Sequence, residues 1–168
     1  SAKAFVNLGY LDIAGVMQHT QKDGWAGGHN NYDWGNSNNW TGFYDILRNN
    51  KFVYDKAVTL NFPLHEGMTL VMKSLIFGLV TDLYGDIPYT QAGYGLENQE
   101  NWFPKYESQK DVYTALVRDV KAARDKMNAA GGTLGKQDPI YGGDIAKWKR
   151  FANSLLMRIG MRMQKKDE

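Results

Sequence analysis

Cysteine is absent from the 168 residues, which excludes disulfides, thiolate metal sites and cysteine nucleophiles. Proline is scarce, with 4 residues in the whole chain, so each one marks a specific break. An excess of one charge is also missing. Lysine and arginine number 20 against 18 acids, so nothing marks nucleic acid as a partner. The longest apolar run, LVMKSLIFGLV, is interrupted by Lys73 and is too short to span a bilayer. No signal peptide is visible, and the first residue is not Met. The start at SAKAF and the stop at QKKDE read as cut ends, so a fragment of a longer protein is expected.

Aromatic side chains, by contrast, are abundant: 5 Trp, 10 Tyr and 7 Phe. They concentrate in one unusual stretch, GGHNNYDWGNSNNW from Gly27 to Trp40. Three large rings and five asparagines suit a sugar, because a flat ring covers an apolar C–H face and an amide both donates to and accepts from the hydroxyl rim. The candidate ligand-binding residues are Trp25, Asn30, Asn31, Tyr32, Trp34 and Asn36. The alternative is structural: Trp34 and Trp40 plug a core and the asparagines cap turns. Trp40, at the start of a helical seam, is the ring expected to be core.

Periodicity predicts an all-α chain with no convincing strand. Helical patterns cover about 2–19, 37–60, 64–84, 108–129 and 144–165. In the second, the polar RNNK stretch allows a kink. Met68, Val71, Leu75, Leu79 and Leu83 give the third helix one apolar face. Leu70, Phe77, Val80 and Tyr84 give it another, so it should be the inner member of a packed array. Ser108 and Asp111 form a capping box, Gly131 is a stop signal and Asp144 is a helix N-cap. The predicted seams are Val112, Leu116, Val120, Ala123 and Met127, then Trp148, Ala152, Leu155, Ile159 and Met163. Helices of this length, joined in pairs, predict tetratricopeptide-like helical hairpins (an α/α superhelix) with long aromatic-rich loops. One α-helical domain over 1–168 is expected, with helix pairs 37–84 and 108–165.

Three stretches resemble the SusD/RagB family of outer-membrane nutrient-binding lipoproteins: LYGDIPYTQA from Leu83, FPKYESQKDVYTALVRDVKAA from Phe103, and IYGGDIAKWKRFANSLLMRIGMRM from Ile140. Their order and spacing match the family, and the resemblance covers about 42–163. It implies a protein lipid-anchored at the outer face of the outer membrane. Such a protein captures oligosaccharides, or less often peptides, and hands them to a TonB-dependent transporter of SusC type without performing chemistry. No cofactor is implied. The lipid-bearing cysteine and everything beyond the second helix pair are not in this sequence. A tetratricopeptide-like protein-interaction scaffold is the rival binding class, and its groove would lie on helix faces rather than loops.

An enzyme is the rival of another kind. Glycoside hydrolysis needs two carboxylates across a bond, and Asp33, Asp45, Asp82 and Asp86 carry no recognisable partner motif. His29 and Asp33 are a two-ligand pair, too few for a hard-cation loop, so no metal is expected. GDIPY reads as a turn, with Gly85 at positive φ, Pro88 fixing direction and Tyr89 packing back. For Trp102 and Phe103 both a packed and a partner-facing role stay open. Arg158 and Arg162 are read as partners of acids on a neighbouring helix, in a helix of internal scaffold that includes Asn153 as a buried amide.

Overall fold

Helical periodicity becomes helix in every segment covered by the computed structural model, which describes residues 40–164. Four α-helices form there: α1 (Thr41–Thr59), α2 (Pro63–Tyr84), α3 (Gln109–Ala129) and α4 (Ile145–Met163). Two-residue strands β1 (Ile87–Pro88) and β2 (Tyr106–Glu107), and a 3₁₀ turn at Gln99–Trp102, lie between α2 and α3. The protein is all-α, as the periodicity predicts. The expected helix at 2–19 lies outside the described residues. The chain divides into two compact units, Ser1–Ile46 and Leu47–Glu168, and the helix packing below lies within the second.

α1 runs unbroken through RNNK: Arg48 and Asn49 are exposed, while Asn50 and Lys51 are half-buried, Asn50 against α2. It stops at Asn61, which takes φ +54°, a left-handed conformation that asparagine tolerates better than most side chains. The Phe62 N–H then returns to the Ala57 carbonyl at 2.8 Å. Pro63 starts α2, where a missing N–H costs nothing. Asn50 ties the two helices together by donating to the Thr69 carbonyl at 2.9 Å.

α2 is the most buried helix, but only one of its two predicted faces is largely covered. Leu70, Phe77 and Val80 are buried, whereas on the other face Val71 is buried, Met68, Leu75 and Leu79 are half-buried and Leu83 is 45% exposed. It packs most extensively on α3 and also touches α4, while α4 packs chiefly on α3. Its contact with α3 is close because Gly67 has no Cβ. One added there would sit 2.7 Å from Met127 Cγ and 2.9 Å from the Ala123 carbonyl oxygen. Ion pairs Glu66–Lys126 (2.5 Å) and Lys73–Asp119 (2.8 Å) cross the same interface. Their numbers rise on one helix as they fall on the other, so α2 and α3 are antiparallel. By length and apolar composition α2 is also able to cross a membrane, unlike the shorter run legible in the sequence; more than half of that window is buried, as in a core helix.

The predicted seams are largely the core. Val112, Leu116, Val120, Ala123 and Met127 are buried, as are Trp148, Ala152, Leu155 and Ile159. Ser108 caps α3 by accepting from the Asp111 N–H, and Asp144 caps α4 by accepting from the Lys147 N–H. The stop after α3 differs from the glycine reading: Ala130, in an extended conformation, ends the helix, and Gly132 rather than Gly131 takes positive φ, at +96°. The second correction is to α4. Met157 and Met161 are each 69% exposed and Asn153 is exposed, so the helix buries one stripe only. Asn153 follows buried Ala152 by one residue, about 100° round a 3.6-residue turn, and points away from the seam.

Candidate functional site

The turn after α2 organises the surroundings of a cavity. Gly85 adopts φ +75° and its N–H returns to Thr81, as the GDIPY reading predicts. Asp86 then reaches across to the next helix, accepting from the Gln109 N–H at 2.9 Å. Ile87 pairs with Glu107 and Pro88 with Tyr106 in an antiparallel ladder, the strand pairing that periodicity did not reveal. Glu107 Oε1 also accepts from the Thr90 N–H at 2.8 Å and from its hydroxyl at 2.5 Å. Two stretches of sequence, LYGDIPY and FPKYES, are thereby fastened into one unit, and Tyr89 is driven inward, buried edge-on against Phe77 with ring centroids 4.5 Å apart.

The cavity lies between α1, α2 and the segment that follows Tyr89, with a volume of about 210 Å³. Leu47, Leu70, Phe77 and Ala92 supply its apolar wall. Asn50, Lys51, Tyr54, Lys73, Tyr89 and Asp119 supply its polar groups. Asp119 is the hub. It accepts from Tyr89 Oη at 2.7 Å, Lys73 Nζ at 2.8 Å and Arg118 NH2 at 3.0 Å. Burial alone would raise its pKa, but the Lys73 charge and these bonds outweigh it and hold the carboxyl below its usual range. Burial and the neighbouring Asp119 charge push the Tyr89 phenol far up, so it stays a neutral donor.

On the opposite wall Lys51 Nζ bonds Asp55 at 2.6 Å and Glu97 at 2.5 Å, and lies 4.1 Å from the centre of the Tyr94 ring. Burial would lower its pKa; the two carboxylates overcome that and raise it. The charged groups balance: Lys51, Lys73 and Arg118 against Asp55, Glu97 and Asp119. A balanced set of charges leaves hydrogen bonds and shape, not net charge, as what the cavity offers. Its polar residues were not singled out from sequence, although two signals existed: Lys73 interrupts an apolar run, and Asp119 sits on the buried side of the α3 seam.

The candidate residues Trp25, Asn30, Asn31, Tyr32, Trp34 and Asn36, with His29 and Asp33, lie outside the described residues. Trp40 is half-buried and stacks edge-on with Tyr44 at 5.6 Å, rather than forming part of the core as expected; it precedes α1 instead of lying within its seam. Trp102 and Phe103 are 62% and 89% exposed, which resolves their role towards solvent. Asp82 is bonded to Tyr113 and Arg162, so Arg162 pairs with an acid of a neighbouring helix as predicted. Among the described residues no cluster of three or more potential ligands could hold a metal ion.

Residues 6–168 match a family model, SusD-like, described as starch-binding and associating with the outer membrane. Solved structures share the fold. A SusD homologue from Bacteroides fragilis NCTC 9343 is 27% identical with a TM-score of 0.70, over 84% of this chain and 29% of that one. A SusD/RagB family protein from Bacteroides thetaiotaomicron VPI-5482 is 28% identical with a TM-score of 0.64, over 74% and 26%. A second Bacteroides fragilis SusD homologue gives 25% and 0.69, over 86% and 29%. The chain therefore spans less than a third of the length of these relatives. No curated protein matches it.

Proposed function

The chain belongs to the SusD-like family of starch-binding proteins that associate with the outer membrane, and from that membership we propose that it captures oligosaccharides at the cell surface. In this reading the whole protein is lipid-anchored and passes its ligand to a TonB-dependent transporter of SusC type. The observation that carries the proposal is the family match across nearly the whole chain. Trp25, Tyr32 and Trp34 with Asn30, Asn31 and Asn36 are the ring and amide groups that would meet the glycan. Stacking a sugar on one exposed ring contributes on the order of 1 kcal/mol, so useful affinity needs several rings and amides together, each tenfold requiring about 1.4 kcal/mol.

Binding without turnover is part of the proposal. Two of the carboxylates considered for hydrolysis have structural work: Asp82 holds Tyr113 and Arg162, and Asp86 holds the first turn of α3. Calorimetric titration with malto-oligosaccharides and a panel of other glycans tests the reading. A saturable isotherm that Trp34→Ala weakens about tenfold, with an unchanged thermal midpoint, supports it. Reducing ends accumulating with pure protein, or binding confined to peptides, would overturn it.

A further inference from the structure

We propose that the cavity between α1 and α2 takes one neutral sugar residue, as a free monosaccharide or a chain end. The choice of ligand class rests on the reading of the protein as glycan-binding; the choice of cavity rests on its own geometry. Its volume of about 210 Å³ is below the roughly 300–1,000 Å³ of drug-sized ligand sites, so one ring fits and an oligosaccharide does not. The apolar wall of Leu47, Leu70 and Phe77 suits the C–H face of a pyranose.

Hydrogen-bonding capacity remains on the polar wall after the protein's own bonds are counted. Lys51 uses two of its three N–H donors, on Asp55 and Glu97. Lys73 uses one, on Asp119. Asn50 commits its N–H to Thr69, leaving its amide oxygen as an acceptor. The Tyr54 hydroxyl, which lines the cavity, has no protein hydrogen bond among the described residues. Donors on α1 and α2, with an acceptor and a phenol on α1, match a ring carrying hydroxyls on adjacent carbons, since each hydroxyl both gives and receives. Charge decides against an acidic ligand. Every ammonium here already faces a carboxylate, so an added anion would leave the cluster with an uncompensated negative charge.

Methyl NMR on the whole chain tests this. D-glucose, D-galactose and D-xylose are titrated to high millimolar concentration, with D-glucuronate as the acidic comparison. At least one neutral sugar should shift the Leu47, Leu70 and Ala92 methyls saturably. Tyr54→Phe should weaken that binding roughly five- to tenfold, the loss of one hydrogen bond. Ala92→Trp, which fills the cavity from its rim, should abolish it. Neutral sugars leaving these methyls unmoved, while oligosaccharides still bind the protein, would overturn the cavity assignment and leave the proposed function standing. Glucuronate binding in place of neutral sugars would overturn the argument from charge. Failure of every sugar, short or long, would sink both proposals.

Discussion

Asp119 and Asp138 each gather donors from several elements, and both are held below the usual carboxylate range despite burial. Asp138 accepts from Trp148 Nε1 at 2.7 Å and from the N–H groups of Ile140 and Gly143. A depressed folded pKa means that the stabilisation is present above the unfolded value of about 3.9 and is lost as pH falls through the folded value. Calorimetry from pH 7 to pH 3 should therefore show a steady midpoint down to about pH 4 and a fall below it. Asp119→Asn should cost about 2 kcal/mol at pH 7, below the roughly 3–5 kcal/mol of a fully buried pair because Lys73 and Arg118 keep access to water. It should also flatten the acid limb. Trp148, fully buried and edge-on to Tyr141 at 5.2 Å, is the costlier loss. Trp148→Ala should cost about 3–5 kcal/mol by chemical denaturation, and Trp148→Phe less, because the ring volume is largely kept while Asp138 loses one donor.

Between elements, the closest approach is that of α2 to α3 at Gly67, where an added Cβ meets a backbone carbonyl as well as a flexible methionine. Gly67→Ala should cost about 1–3 kcal/mol through overpacking, outweighing the gain of up to about 1 kcal/mol that alanine brings to a helix interior. A urea midpoint that rises would show that the helices part easily. The helices were legible because burial imposes a 3.6-residue rhythm: the α3 seam, both N-caps and the Leu70–Phe77–Val80 face of α2 follow from residue spacing alone. The β1–β2 ladder was not legible, since two residues per strand carry no period and Pro88 reads as a turn. The cavity was hidden for another reason. Its polar groups come from α1, α2, α3 and the loop after Tyr89, and no local pattern announces that Lys51 and Asp119 line one cavity. Asn153 misled because an amide in an apolar segment resembles a buried one until the phase of the helix is known.

At the scale of the molecule, the chain spans 29% of the length of a Bacteroides fragilis relative. Its long connection between α2 and α3 is fastened at the mouth. The β1–β2 pairing, the Thr90–Glu107 bonds and the Lys105 N–H donating to Gln91 at 2.7 Å close it before the exposed Trp102 and Phe103 are reached. Replacing residues 98–104 with a short Gly/Ser linker, which keeps the Glu97 bond to Lys51, should remove both rings and lower the thermal midpoint by only a few degrees, roughly 1 kcal/mol for a domain of this size. Circular dichroism on heating checks this, and a collapse of the helical signal would mean that the segment supports the scaffold. A neck of this kind separates what a loop displays from what keeps it in place. Because closing a loop costs only about 0.6 kcal/mol more for each doubling of its length, the segment behaves as an exchangeable cassette. Inserts of different length and chemistry can be grafted between Asn98 and Lys105, beyond the Ala92, Tyr94 and Glu97 contacts to the cavity and Lys51, so new surface specificities are open to selection or design one contiguous stretch at a time.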